Sequence, residues 1–374
     1  MTVAALRLSR LVWADAAVLR WVAASRLVVL GAFLALFAAG PIGTVGPNFY
    51  EWPLQLLGAW DGVWYGRVAA HGYLLIPGRQ SDPAFFPLYP ILLRLLHAAG
   101  LPLVAAGALL ANAAFLVAVP AFHRLGRRLL PEQVALRGAV FLAIAPMGYV
   151  FSMAYPESLL LLLGVLSLLA ALDDRWLLAA PLAGLAALAR PEGVLLAVVL
   201  GGIAWRRRDS LDPAGRGRAL AAVLAAPAAV IAFMGYLQWS LHDMHAWSEA
   251  EQPWGRSFGL DGPFRAIVHL RSTVSFHPLL VRDLVLLALG AALLVLAAKR
   301  TSLPREWIWA GALVLALPIF SGTFESSGRF SMMALPCYWG AGALELSPRR
   351  EKAVRVLCLT ALACGAISVP FIWP

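Results

Sequence analysis

Residues 101–121 read LPLVAAGALLANAAFLVAVPA and contain no charged side chain. A run of this length matches the roughly 20 apolar residues that an α-helix needs to cross the hydrocarbon core of a bilayer. The alternation of apolar and polar residues that marks a membrane β-barrel strand is absent. Because a membrane-spanning segment must satisfy its backbone polar groups internally, the run predicts a transmembrane helix.

The composition of the whole chain supports this interpretation. Hydrophobic residues make up 61% of the 374 positions and charged residues 13%, and the mean hydropathy is +0.77. A soluble domain has roughly 45–50% apolar and about 25% charged residues. A soluble enzyme, a disordered chain and a disulfide scaffold are therefore excluded. The three cysteines lie in apolar runs and predict neither a disulfide nor a metal site.

Further apolar runs predict about eleven transmembrane helices in one all-α polytopic domain covering residues 1–374. Two short runs flank the charged pair Arg190 and Glu192, and we interpret them as tilted or partly re-entrant helices. The long runs are 27–40, 134–150, 158–172, 219–240, 279–298, 307–321, 331–344 and 356–373, and the short ones are 176–189 and 193–205.

The basic residues predict the orientation of these helices. Sorting the thirty Lys and Arg residues by side places twenty-one on one face, Arg26 among them, and nine on the other. The positive-inside rule makes the first face cytoplasmic, with the N-terminus inside and the C-terminus outside. The expected location is the plasma membrane. The net charge of +10 lies in short loops, so membrane lipid rather than nucleic acid is its expected partner.

Two long segments fall on the extracytoplasmic side, residues 41–98 and 241–278. Both are rich in aromatic, charged, proline and glycine residues. Loops of this length are functional or disordered, and these are too aromatic to be disordered. We expect them to form the active-site face.

The first of these segments contains WDGVWYGRVAAHGY at residues 60–73. If residues 61–71 are helical, Asp61, Trp64, Tyr65 and Val68 share one face. A carboxylate would then lie beside aromatic rings, as a catalytic base in a sugar site requires. The alternative interpretation is an amphipathic helix at the membrane interface with a solvated aspartate.

Ionisable residues at the outer ends of predicted helices are further candidates. Arg190 and Glu192 lie between two apolar runs, where charge is costly and is a functional candidate by default. A local ion pair or side chains that reach the interface are the alternatives. Glu157 either caps a helix or has a functional role. Arg329 follows Glu325, and arginine is well suited to clamp a phosphate.

The second external segment places Gln252, Trp254 and Arg256 in close order, with His277 beyond. An amide, an indole and a guanidinium are groups that bind sugars. No metal-ligand spacing occurs there, and the chain lacks the common nucleotide-binding loops. A cytoplasmic nucleotide-sugar enzyme is therefore disfavoured.

These strings resemble a known family. The pattern at 60–73, together with AFFPLYP at 84–90, is similar to the first luminal loop of PIG-V-type mannosyltransferases, which belong to the GT-C superfamily of polytopic glycosyltransferases. The resemblance covers about residues 55–335. Weaker matches follow in the family's order at 145–158, 189–193, 252–258 and 328–330.

The resemblance implies a GT-C-like bundle that transfers mannose from a polyprenyl-phosphate donor with inversion at the anomeric carbon. It also implies that Asp61 is the catalytic base. Gly62 follows Asp61 where relatives carry a second acid, so we expect a metal-independent reaction without cofactors and leave a divalent cation open. Pro156 precedes Glu157 where many relatives carry serine or threonine.

In the resulting hypothesis, Asp61 accepts the proton of an acceptor hydroxyl, and cations stabilise the departing phosphate. The phosphate-binding candidates are Arg190 and Arg329, followed by His71, Arg256 and His277. The sugar- and acceptor-binding candidates are Trp60, Trp64, Tyr65, Glu157, Glu192, Gln252 and Trp254. The acceptor is a glycolipid, a glycan or a protein. A transporter or flippase of lipid-linked sugars, and a non-catalytic subunit of a transferase complex, are the alternative functions.

Overall fold

The computed structural model describes residues 16–38, 53–272 and 278–372, and these contain sixteen α-helices, several 3₁₀ turns and no strand. The first eight helices are α1 (Ala16–Ala38), α2 (Asp61–His71), α3 (Leu88–Ala98), α4 (Leu103–Arg127), α5 (Glu132–Ala143), α6 (Glu157–Leu172), α7 (Trp176–Ala189) and α8 (Leu196–Arg207). The others are α9 (Pro213–Leu241), α10 (Ala246–Glu251), α11 (Gly262–Ser272), α12 (Pro278–Arg300), α13 (Arg305–Phe320), α14 (Ser327–Ser331), α15 (Leu335–Gly342) and α16 (Pro348–Ser368). The expected all-α class is confirmed.

Four helices in the described ranges are long and apolar enough to cross a membrane, judged by length and composition. They are α1, α4, α9 and residues 280–300 of α12. Helices α3, α6 and α7 are apolar but shorter. The expectation of a membrane protein is thus supported, whereas the expected count of about eleven spanning helices is not confirmed.

The first spanning candidate begins earlier than the sequence analysis placed it. Helix α1 starts at Ala16 rather than at residue 27, so Arg26 lies inside the helix and not on a cytoplasmic flank. Its guanidinium donates to Ser152 Oγ at 2.8 Å and to the Gly148 carbonyl at 3.0 Å, and it lies over the Phe115 ring. Because these contacts satisfy a partly buried cation, one arginine is tolerated within an otherwise apolar helix.

Two predicted helices are interrupted. The run at 134–150 forms α5 only as far as Ala143 and continues as a 3₁₀ turn at Gly148–Ser152. Pro146 lies between the two, and proline disfavours helical backbone at the residue before it. The run at 331–344 is likewise divided between α14 and α15, with Pro336 in the first turn of α15.

The core is built by close helix packing. Helix α7 packs against both α6 and α9, and α15 packs against α5 and α12. A Cβ on Gly340 of α15 would lie 2.0 Å from the Leu293 carbonyl oxygen of α12. Only glycine therefore permits this approach of the two backbones. The neighbouring Trp339 ring stacks on Phe122 with centroids 4.7 Å apart.

The segments predicted as external loops contain regular structure. Residues 61–71 form helix α2, as the spacing predicts, and residues 241–278 contain α10, a 3₁₀ turn at Gln252–Trp254 and α11. The starts of α2 and α6, the junction after α7 and the short helix α14 converge on one group of charged side chains.

Candidate active site

Asp61 is the first residue of α2, and its position is set by the preceding turn. Trp60 adopts a left-handed backbone with φ of 56°, which turns the chain into the helix. The backbone N–H of Asp61 donates to the Tyr155 hydroxyl at 3.1 Å, and that hydroxyl donates to the Ala59 carbonyl at 3.1 Å. A carboxylate in the first turn is also favoured by the helix dipole. The Asp61 side chain remains 26% exposed.

Arg329 connects Asp61 to a second acid. Its Nη1 lies 2.7 Å from Asp61 Oδ2, and its Nε lies 3.5 Å from Glu157 Oε1. The Arg329 side chain is only 8% exposed and that of Glu157 only 1%. The contact between Arg329 and Glu157 is therefore shielded from bulk water. Salt screens such buried ion pairs less than exposed ones.

Arg190 extends this arrangement, because it contacts the same oxygen of Glu157 as Arg329 does. Its Nη1 lies 2.7 Å from Glu157 Oε1, and its Nη2 lies 2.7 Å from Glu192 Oε1. The pair of Arg190 and Glu192 considered from the sequence does form, and Glu157 joins it. We call the five side chains the charged chain, in the order Asp61, Arg329, Glu157, Arg190 and Glu192.

Local backbone rules place the middle of the charged chain. Helix α7 ends at Ala189, and Arg190 is extended with φ of −155° and ψ of 147°, as expected for the residue before Pro191. A Cβ on Gly193 would lie 2.5 Å from the Ala187 nitrogen. Glycine therefore allows the chain to fold back against α7, so that Glu192 meets Arg190.

Aromatic side chains form a wall beside α2. Trp64 stacks on Phe85 with centroids 5.6 Å apart and interplanar angle 7°, and Trp254 meets both rings edge-on. Tyr65 packs edge-on against Phe85 and Tyr89. The predicted shared face of α2 is confirmed, and Trp254 arrives from the second long segment to join it.

Phe330 lies among the three arginines. The guanidinium carbons of Arg190, Arg256 and Arg329 lie 5.2, 4.9 and 5.8 Å from the centroid of its ring. The face of an aromatic ring attracts cations without carrying a negative charge itself. The arrangement keeps three like charges close together, and two of them, Arg190 and Arg329, also pair with acids.

Arg256 differs from the other two arginines because no carboxylate among the described residues lies within ion-pair distance of it. Its Nη2 donates to the Glu325 carbonyl at 3.3 Å. Burial lowers the pKa of Arg256, and the nearby Glu251 opposes that effect. Burial in turn raises the pKa of Glu251, against the influence of Arg256. Of the three arginines around Phe330, Arg256 is thus the one whose charge is least neutralised by described carboxylates.

Four predicted site residues lie elsewhere or outside the described ranges. The Trp60 indole donates to the Val369 carbonyl at 2.7 Å and has a structural contact there. His71 is exposed at the far end of α2, about 15 Å along the helix axis from Asp61. Gln252 is exposed. His277 falls outside the described residues.

The sequence analysis missed four residues of the site as functional candidates: Phe85, Tyr155, Glu251 and Phe330. Phe85 and Tyr155 lay within strings that were read for backbone direction or family resemblance. Glu251 stands next to Gln252, and Phe330 follows Arg329. For Glu251 and Phe330, the sequence signal was adjacency to these selected residues.

A narrow apolar cavity of about 70 Å³ adjoins the charged chain. Its walls come from α6, α8, α13 and α15 and include Val165, Val199 and Trp307. Glu192 and Gly193 also line it. The cavity therefore brings hydrocarbon surface to the last acid of the charged chain.

No group of three or more His, Cys, Asp or Glu side chains in the described ranges is arranged to hold a metal ion. The expectation of a metal-independent reaction stays a prediction.

No protein-family model and no curated protein sequence matches this chain. Solved structures of the oligosaccharyltransferase from Archaeoglobus fulgidus are similar to this chain over most of its length. The archaeal oligosaccharyltransferase AglB, in complex with an inhibitory peptide and a dolichol-phosphate, aligns with 94% of this chain and 55% of its own at 13% identity and a TM-score of 0.45. The apo form aligns with 94% and 56% at 12% identity and a TM-score of 0.47. This chain thus spans about half the length of those proteins. TM-scores this low do not establish a common fold.

Proposed function

We propose that this protein is an inverting glycosyltransferase, which moves a sugar from a polyprenyl-phosphate donor to an acceptor hydroxyl at the extracytoplasmic membrane face. Mannose is the donor sugar implied by the sequence resemblance. A glycolipid, a glycan or a protein would supply the hydroxyl. The proposal rests above all on the hydrogen bonding and exposure of the Asp61 carboxylate in the charged chain.

Asp61 has the position of a general base. Arg329 holds Oδ2, and Oδ1 has no hydrogen-bond partner among the residues that the structure describes. Glu157 and Glu192 are almost fully buried, whereas Asp61 is partly exposed. An arriving hydroxyl can therefore reach an ordered carboxylate oxygen, as general base catalysis requires.

The reaction then balances without further reagents. The acceptor oxygen forms a bond to C1 of the sugar from one face while the bond from C1 to the phosphate oxygen breaks on the other. The hydroxyl proton passes to Asp61 Oδ1. Polyprenyl phosphate leaves with the bonding electrons, and its growing negative charge requires a positioned cation.

Arg256 is our choice for that cation. In the charged chain, two arginines face three carboxylates, so their charge is already neutralised. Arg256 has no such partner and lies over the same Phe330 ring. Arg190 and Arg329, which the sequence analysis ranked first for phosphate binding, are in this proposal organisers of the acids.

The surroundings suit the remaining parts of a lipid-linked sugar. Trp64, Phe85 and Trp254 offer ring faces and edges beside Asp61, which are surfaces on which a pyranose packs. The apolar cavity that reaches Glu192 would receive the first isoprene units of the donor. Its continuity with the charged chain is the reason for assigning it this occupant.

The test is transfer of radiolabelled sugar in membranes that contain the protein, with polyprenyl-phosphate mannose as donor. Wild type is compared with Asp61→Asn at matched expression, and Asp209→Asn is the control because that side chain is 84% exposed in a turn. We expect Asp61→Asn to lower the transfer rate by about 10²-fold or more, with Asp209→Asn unchanged.

The outcomes separate the candidate functions. Label lost only in Asp61→Asn supports the proposal, and the labelled product identifies the acceptor. Equal transfer by wild type and Asp61→Asn would remove Asp61 from the chemistry. Failure of wild type with mannose and with other polyprenyl-phosphate sugars would contradict the transferase and favour a transporter or a supporting subunit.

A further inference from the structure

Asp283 is a buried acid near the start of α12 that the proposed mechanism does not use. Its side chain is 1% exposed, and it lies within the stretch 280–300 that is apolar enough to span a membrane. An ionisable group in such a place is costly and needs a compensating set of partners. Those partners show what the residue does.

Both carboxylate oxygens of Asp283 accept hydrogen bonds from the Ser326–Gly328 loop, which runs into the first turn of α14, and Oδ1 also lies 3.3 Å from the Arg282 guanidinium. Oδ2 accepts from the Ser326 N–H at 2.7 Å, and Oδ1 accepts from the Gly328 N–H at 3.3 Å. The Ser327 hydroxyl also donates to the Asp283 carbonyl at 3.1 Å. Three consecutive residues are thus tied to a single position of α12, directly before Arg329.

The loop has a conformation that needs such support. Ser326 is left-handed with φ of 60°, a backbone region that costs a non-glycine residue of order 1 kcal/mol or more. A Cβ on Gly328 would lie 2.9 Å from Asp283 Oδ1 and 2.7 Å from Leu286. The close approach to α12 is therefore specific to this loop and this glycine.

The consequence falls on the next residue. Arg329 follows Gly328 and extends its Nη1 to Asp61 Oδ2 at 2.7 Å. We propose that Asp283 is a positioning residue, which holds the Ser326–Gly328 loop so that Arg329 orients Asp61. The effect on turnover rests on the proposed transferase function, whereas the effect on the loop does not.

The first test is kinetic. Asp283→Asn keeps the size of the side chain but leaves one acceptor oxygen for the two loop N–H groups and the Arg282 guanidinium. We expect kcat for sugar transfer to fall by about tenfold with little change in the donor KM, because orientation rather than binding is impaired. In an Arg329→Lys background the same substitution should cost little further activity. An equal loss in both backgrounds would overturn the proposal.

The second test needs no activity. Arg329→Cys is labelled in detergent with a small methanethiosulfonate, and modification at position 329 is quantified by peptide mass spectrometry. We expect Asp283→Asn to speed labelling several-fold and Asp209→Asn to leave it unchanged. An unchanged rate with Asp283→Asn contradicts the proposal, even if wild type shows no transfer and the proposed function itself has failed.

A second substitution keeps the proposal testable if Asp283→Asn folds poorly. Asp283→Glu retains the charge but moves the two oxygens by one methylene, about 1.5 Å. It should give the same loss of kcat and the same faster labelling at position 329. Wild-type values for both measurements would show that the loop does not depend on the place of this carboxylate.

Discussion

Arg329 Nη1 lies 2.7 Å from Asp61 Oδ2, although 268 residues separate the two in sequence. The same guanidinium reaches Glu157 with its Nε. The carboxylate at the start of α2, which is the proposed base, is thus held by a residue from the short helix α14. Arg329 contacts Oδ2 of Asp61, and no hydrogen bond to Oδ1 occurs among the described residues.

This relationship predicts that Asp61 and Arg329 act as a unit. Arg329→Gln should lower the transfer rate by about 10²-fold, similar to Asp61→Asn, and the double variant should be little worse than either single one. Steady-state rates for the four proteins measure this coupling. Losses that multiply in the double variant would show that the two side chains act independently.

Arg190, at the centre of the charged chain, leads to a prediction about the free energy of unfolding, in which a second substitution partly reverses the effect of the first. Arg190→Gln leaves Glu157 and Glu192 buried without their shared cation, which costs about 3–5 kcal/mol. Adding Glu192→Gln should recover part of that loss, since it removes one uncompensated charge. Thermal unfolding of the purified variants in detergent gives the ranking.

The control for that ranking is Arg128→Gln. Arg128 pairs with Asp173 at the surface, where its side chain is 47% exposed, and such pairs contribute about 1 kcal/mol or less. If Arg190→Gln lowers the unfolding temperature no more than Arg128→Gln does, the charged chain is not important for stability.

Arg256 predicts a different kinetic pattern. Because no described carboxylate pairs with it, Arg256→Ala should leave the fold nearly unchanged and weaken the contact with the donor phosphate. We expect the donor KM to rise by about tenfold. Arg256→Lys should restore part of the affinity, since lysine keeps the charge but not the planar fork. If Arg190→Lys instead gave the large rise in donor KM, Arg190 of the charged chain would be the residue that binds the donor phosphate.

The local parts of the site could be predicted from the sequence. The sequence analysis expected Asp61, Trp64 and Tyr65 to share one face if residues 61–71 are helical, and that helix is present. The intramembrane rule selected Arg190 and Glu192, which do form a buried pair. These predictions succeed because helix periodicity and the cost of buried charge act over a few residues.

The long-range parts could not be predicted. Nothing in the sequence pairs Asp61 with Arg329 or brings Arg256 to Phe330, because such contacts depend on how separate helices pack. Asp283 was missed although the rule that selected Arg190 applies to it equally. The start of α1 was misplaced because Arg26 was read as a flanking charge, whereas polar partners from other segments satisfy it inside the helix.

Close helix packing supports a prediction that does not involve the site. Gly340→Ala would place a methyl group 2.0 Å from the Leu293 carbonyl oxygen, so α15 and α12 would have to separate. Gly235→Ala in α9 meets nothing within 4 Å and should stabilise its helix by up to about 1 kcal/mol. The yield of monodisperse protein and its unfolding temperature should therefore fall sharply for the first variant and hold or rise for the second. Equal behaviour of the two variants would mean that the approach of α15 to α12 is not required for folding.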